Sequence, residues 1–123
     1  MTEVGFIDAN DPRMVCTMAL LEKVLARGPH MMRYEAADDF GMPGTAFNTC
    51  SFWRIDALAR MGRVGEAREY FEDLLKLRNR FGLMSEDSDP RTGEMWGNYP
   101  QTYSLVGIVN CAMRLTRSWE SVT

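Results

Sequence analysis

Asn48-Thr-Cys-Ser-Phe-Trp-Arg-Ile-Asp-Ala-Leu-Ala-Arg-Met-Gly62, followed at once by Arg63-Val-Gly-Glu-Ala-Arg-Glu-Tyr-Phe-Glu-Asp-Leu-Leu-Lys-Leu-Arg-Asn-Arg80, is the stretch that decides the fold. In its first half the apolar residues wrap most of the way round a helix that Asn48 or Thr49 opens and Gly62 stops, so this helix belongs in an interior. A buried Arg54 or Asp56 there requires a partner group. In its second half Ala67, Phe71, Leu74, Leu75 and Arg78 recur at helical spacing while Glu66, Arg68, Glu69, Glu72, Asp73 and Lys76 fall elsewhere, which predicts an amphipathic helix to about Arg80. The link Arg63-Val64 is short, so the two form an antiparallel hairpin with an inner and an outer member.

Two further helices flank this hairpin. Asp11 caps and Pro12 begins the first, where Val15, Met18, Leu21 or Glu22, and Leu25 make one apolar stripe that ends at Gly28-Pro29. Glu22 and Lys23 are expected to face solvent. The last runs from Gln101 to Arg117 and is apolar on nearly every side, with Asn110 as the polar exception, expected to hydrogen-bond a neighbouring helix. The segment Ser118–Thr123 is expected to fray. Residues 30–46 are irregular, with Met31–Tyr34 a candidate extended piece. Two nearly all-apolar helices cannot be covered by two amphipathic ones. The four therefore leave an apolar surface that needs more protein, either further chain or a second copy.

Between the third and fourth helices lies Gly82-Leu-Met-Ser-Glu-Asp-Ser-Asp-Pro-Arg-Thr-Gly-Glu-Met-Trp-Gly-Asn-Tyr-Pro-Gln101. Loops of this length within a domain are usually functional. Glu86, Asp87, Asp89 and Glu94 stand beside Trp96, Asn98 and Tyr99. Carboxylates next to flat rings suit a sugar, because rings cover the apolar faces of a pyranose while carboxylates bind hydroxyls or move protons. Calcium binding through Asp87, Asp89 and Glu94 is the competing reading, but no EF-hand pattern fits them, and a solvated loop is preferred to it.

The bounds from composition agree. At 123 residues, 46% hydrophobic and 25% charged, the chain is one soluble domain without an apolar run long enough for a membrane span. Its start lacks the basic and apolar pattern of a secretory signal. A net charge of −3 with interspersed arginines gives no field for nucleic acid. Cys16, Cys50 and Cys111 are odd in number and far apart, which fits reduced thiols of a cytoplasmic protein. His30, the single histidine, has no partner for metal binding and is expected in a loop or at the surface, so neither a metal nor any other cofactor is expected.

The order of motifs resembles a known family. Arg33-Tyr34, Ala46-Phe-x-x-Cys-Ser-Phe-Trp53, Ala57-Leu-Ala-Arg-x-Gly-Arg-x-x-Glu-Ala67, Leu74-Leu-x-Leu-Arg-Asn79, Gly82-Leu-x-Ser-Glu-Asp-x-Asp-Pro-Arg-Thr-Gly93 and Gly97-Asn-Tyr-Pro-Gln-x-Tyr-Ser104 are similar to the C-terminal part of the prokaryotic glucoamylase-type glycoside hydrolases, family fifteen. That group includes glucoamylases, glucodextranases and some trehalases. The resemblance implies an all-α fold, a partial (α/α)6 barrel of inner and outer helices, with residues 1–123 forming one C-terminal portion. It implies inverting hydrolysis of an α-glucoside or oligosaccharide by an acid and a base standing roughly 6.5 to 9.5 Å apart. Glu86, in Met84-Ser-Glu-Asp, matches the base. The acid lies upstream of these motifs in the family, so the isolated chain is expected to be inactive until the missing N-terminal barrel portion, or another chain, supplies it. Arg33 matches an arginine that binds sugar hydroxyls, and Tyr34 adjoins it. Tyr103 and Trp96 are placed as substrate-binding aromatics. Phe47 and Trp53 line a floor or, as the preferred reading, pack in the core. The reading from a different class is a tetratricopeptide-like interaction module, because Leu58–Phe71 reads like one such hairpin. Those modules stack several copies, and the sequence holds one.

Overall fold

In the computed structural model, residues 2, 4–116 are described, and four helices carry the fold. Helix α1 (Pro12–Leu25) opens as expected: the Asp11 carboxylate accepts from the Arg13 backbone N–H at 2.9 Å, and Pro12 takes the first turn. It ends before Gly28-Pro29. Those two residues instead turn a small hairpin between β1 (Ala26–Arg27) and β2 (His30–Met31), with Gly28 at φ +60°. Helix α2 (Asn48–Arg60) closes on Gly62 in a Schellman motif, the Arg63 N–H reaching the Leu58 carbonyl and the Gly62 N–H the Ala59 carbonyl.

Helix α3 (Val64–Leu75) stops five residues earlier than its apolar spacing predicts. The N–H groups of Lys76, Leu77 and Arg78 turn back to carbonyls three residues earlier. The Asn79 side-chain oxygen then accepts from the N–H groups of both Phe81 and Leu83 at 2.9 Å, which draws the chain into a turn instead of another helical one. Helix α4 (Thr102–Leu115) completes the set. Residues 118–123, expected to fray, lie outside the described residues.

The all-α expectation needs one correction. Beside the helices and the β1–β2 hairpin stands a three-stranded antiparallel sheet of β3 (Ala46–Phe47), β4 (Asp87–Ser88) and β5 (Met95–Trp96), in the order β3-β4-β5. Strands of two residues have no period to read.

Helix α2 is central. Phe52, Ile55 and Leu58 pack with Ala67, Phe71 and Leu74 of α3 and with Cys111 and Leu115 of α4, and Met84 of the loop closes the same core. Each large side chain removed from water contributes roughly 1.5 to 3 kcal/mol. The Phe52 and Phe71 rings meet edge to face at 6.4 Å. A second cluster joins Met14 and Met18 of α1 to Ala57 of α2. The two charges buried in α2 have the partners they require. Arg54 holds Glu22 at 3.0 Å and the Gly28 carbonyl at 2.8 Å, with its guanidinium over the Tyr70 ring; Asp56 pairs with Arg60 and Arg114. Glu22 is thus not a solvent-facing residue: it bridges Arg54 and Arg63 from a half-sheltered position.

Two burial expectations fail, those for His30 and Trp53, and the uncovered apolar surface falls on α4. His30 is buried, because β2 packs against α2. Helix α4 buries only Ser104, Cys111 and Leu115, leaving Tyr103, Val106, Val109 and Met113 exposed, and Asn110 is exposed with them. Trp53, expected in a core, is 57% exposed. The hairpin α2–α3 is the one helix pair joined by a short link among the described residues, so no stack of equal hairpins forms.

Helix α4 approaches α2 closely at Gly107, where an added Cβ would stand 2.5 Å from Phe52 Cδ2. Gly107→Ala is therefore expected to lower stability by about 1 to 3 kcal/mol through overpacking, despite the better helix propensity of alanine. Urea denaturation of the two proteins measures the difference.

Candidate active site

The long loop is built onto the N-terminal ends of α2 and α4 by backbone and buried polar groups. The Asn48 N–H donates to the Glu86 carbonyl at 3.0 Å, and the Gln101 N–H to the Met84 carbonyl at 2.9 Å. Asn48 does not cap its own helix, as its position had suggested. Its side-chain amide donates to the Ser85 carbonyl at 2.9 Å and its side-chain oxygen accepts from Ser88 Oγ at 3.0 Å. The Ser104 hydroxyl of α4 donates to the same Ser85 carbonyl at 2.7 Å. Asn48, Ser85, Ser88 and Ser104 are all buried, so these bonds form in a medium that makes an unmade one costly.

Glu86 stands on this frame at the end shared by the two helices. Its N–H donates to the Asn98 carbonyl at 2.9 Å, and its Oε2 accepts from Asn98 Nδ2 at 2.9 Å and from the Asn98 N–H at 3.1 Å. The next residue, Asp87, lies on the central strand of the sheet, opposite Phe47 on one side and Trp96 on the other. The guanidinium of Arg33 lies over the Phe47 ring at 5.3 Å. Arg33, Phe47, Asp87, Glu86 and Trp96 are thereby brought to one end of the molecule. Trp96 is half exposed and available for contact.

Tyr34 follows Arg33 and donates its hydroxyl to Asp38, which holds the phenol above its usual ionisation range. Tyr103, in the first turn of α4, faces a groove of about 300 Å³ between α2 and α4 that Phe47, Thr49 and Trp53 also line. The Thr49 hydroxyl is buried there and has no hydrogen-bond partner among the described residues. The Asp89 carboxylate serves a turn of the loop, accepting from the Arg91 backbone N–H at 2.7 Å, and at Glu94 it is the backbone carbonyl that accepts, from the Asp89 N–H. Among the described residues no group of three or more His, Cys, Asp or Glu side chains is placed to hold a metal ion.

Electrostatics around Asp87 follow from this crowding. Burial raises its carboxyl above the usual carboxylate range, the Thr45 hydroxyl at 2.8 Å opposes that, Glu86 adds to it and Arg33 opposes it. The neighbouring Cys50 thiol is likewise pushed up by burial, against the pull of Arg33. Burial lowers the His30 imidazole and favours its neutral form, with Asp89 acting weakly the other way.

The chain matches no family model and no solved structure. It does match curated proteins. It is 36% identical over 114 residues to the trehalase of Thermoplasma volcanium and 36% identical over 118 residues to that of Thermoplasma acidophilum. To the trehalase of Mycolicibacterium smegmatis it is 31% identical over 118 residues. The matches take in 91%, 94% and 94% of this chain but 18%, 20% and 18% of the three relatives, so the chain spans about a fifth of their length. By these matches the chain is related to glycoside hydrolases. More narrowly, its relationship is to the trehalase and glucoamylase-type group that its motifs resemble.

Asn98 stood out beside Glu86 in the loop, but Gly97, Asn48, Ser85, Ser88 and Ser104 were not legible as site residues, because the contacts that bring them to Glu86 join separate segments, two of them helices.

Asp87 gives a pH test. An aspartate with a raised folded-state pKa keeps its proton where the unfolded chain, near 3.9, has lost it, so its contribution to stability falls as pH rises through that window. The stability of Asp87→Asn relative to the native chain is therefore expected to increase from pH 3 toward pH 7 and then level off. Urea midpoints of both proteins across that range check it.

Proposed function

We propose that this chain is part of an inverting α-glucoside hydrolase and supplies its general base, Glu86. The supporting observation is the position of Glu86 at the common N-terminal end of α2 and α4, with one carboxylate oxygen held by Asn98. On this reading α2 and α4 are neighbouring inner helices of an (α/α)6 barrel, α3 is an outer one, and the apolar side of α4 is covered by the rest of the barrel. Self-association through that face is the other way to cover it.

The reaction divides between the two parts. A water oxygen attacks the anomeric carbon and the glycosidic C–O bond breaks. Glu86 takes the water's proton, while an acid outside this chain protonates the departing oxygen. Arg33 and Tyr34 bind hydroxyls of the glucosyl ring. Trp96 and Tyr103 cover its apolar faces, since rings exposed by 52% and 66% have surface to offer. The relatives are named trehalases, which makes trehalose the first substrate to test.

Turnover of trehalose, maltose and a longer α-glucan is measured for the 123-residue chain alone and together with a polypeptide supplying the remainder of a Thermoplasma trehalase. The chain alone is expected to give no turnover and the pair to give some, lost again in Glu86→Ala. Robust turnover by the lone chain overturns the division of labour. An active pair indifferent to Glu86→Ala overturns the base.

A further inference from the structure

The loop around Glu86 is shaped by two adjacent residues that reach it from the far side of β5. Gly97 has φ +77°, and a Cβ added there would lie 2.9 Å from Glu86 Oε2 and 3.0 Å from Glu86 Cβ. Only a residue without a side chain lets the strand pass so near the carboxylate. Asn98 then contributes three bonds to the one residue: its carbonyl accepts from the Glu86 N–H at 2.9 Å, and its own N–H and side-chain Nδ2 both donate to Oε2, at 3.1 and 2.9 Å. Oε1 receives no hydrogen bond from the described residues.

The two oxygens of Glu86 are therefore inequivalent. A carboxylate oxygen that already accepts two N–H bonds is a weaker proton acceptor than its unencumbered twin, since the donors stabilise the charge it carries. The planar group is also fixed in rotation, because Oε2 is anchored to a backbone N–H as well as to a side chain. We infer that Asn98 is a positioning residue for the base: it commits Oε2 and thereby aims Oε1 at the water, with Gly97 providing the space this requires. The inference rests on the reading of Glu86 as base and adds which oxygen acts and what orients it. Balance is kept: the water's proton ends on Oε1, its oxygen on the anomeric carbon, and the departing oxygen takes a proton from the acid of the other part.

The test has one arm in the chain itself and one in the active pair. In the isotope-labelled 123-residue chain, the Asn98 side-chain amide resonances are expected to move on Glu86→Gln; resonances that stay put overturn the pairing whatever the kinetics give. In the active pair, Asn98→Leu removes the side-chain donor at similar volume, and Asn98→Asp replaces it with a charge that repels Glu86. A misplaced reacting group costs up to roughly a hundredfold in rate, so kcat is expected to fall about 10- to 100-fold for Leu and further for Asp, with KM within about twofold of the native value. Azide attacks the anomeric carbon without a proton to surrender and enters the space left by the missing carboxylate, so it is expected to restore part of the rate to Glu86→Ala, forming a glucosyl azide, and not to Asn98→Leu, whose retained Glu86 charge repels the anion. A general loss of structure would not be relieved in this way. If Glu86→Ala abolishes turnover while both Asn98 variants keep native kcat, the positioning role is wrong and the base stands. If Glu86→Ala is as active as the native pair, the base itself is wrong. Gly97→Ala should resemble Asn98→Leu, and the Asn98 pair decides the matter if that variant does not fold.

Discussion

The site depends on the contact between the first residue of α2 and the loop that crosses its end. Asn48 spends its backbone N–H on the Glu86 carbonyl and its side chain on Ser85 and Ser88, all within the buried interior. A helix end ordinarily leaves its first N–H groups to a capping side chain or to water. Here the preceding residue, Phe47, caps nothing with its side chain, and the loop backbone supplies an acceptor instead. The consequence is a carboxylate whose main chain is fixed to a helix while its side chain is fixed to Asn98. That arrangement holds the carboxylate more rigidly than a free loop would.

Charge burial sets the placement of the helices that carry this end. Arg54 is removed from water in the middle of α2, and it is tolerated because Glu22, the Gly28 carbonyl and the Tyr70 ring converge on it from three different elements. Removing one member of such a set leaves an uncompensated charge, which is far more costly than the set is stabilising. The group therefore works as a register device that brings α1, the β1–β2 turn and α3 to one point of α2. Because Arg33 stands two residues beyond the end of β2, fixing the turn also fixes where the guanidinium of Arg33 reaches Phe47.

The helices were legible because a 3.6-residue period and punctuation by Asp11, Pro12 and Gly62 are local signals. The ends were less so: Asn79 breaks α3 through its side chain, and nothing in an apolar stripe announces that. The five strands are too short to alternate. Glu22 and His30 were misplaced for the same physical reason, since whether a polar residue is buried depends on what another element brings to it. Glu86 stood out as a candidate through its motif, and the acids and rings near it through composition alone. The way Arg33 and Trp96 converge on Asp87 required the sheet, and the sheet required pairing between residues some forty positions apart, Phe47 with Asp87.

One acceptor in this structure serves two helices. The Ser85 carbonyl takes the amide of Asn48 from α2 and the hydroxyl of Ser104 from α4. It is a rivet through both, set one peptide before the carboxylate. Sliding either helix against the other would drag that oxygen, and with it the adjacent peptide plane, so packing errors on the α2–α4 seam at Phe52 and Gly107, about one helical turn in, are carried mechanically to the end where Glu86 sits.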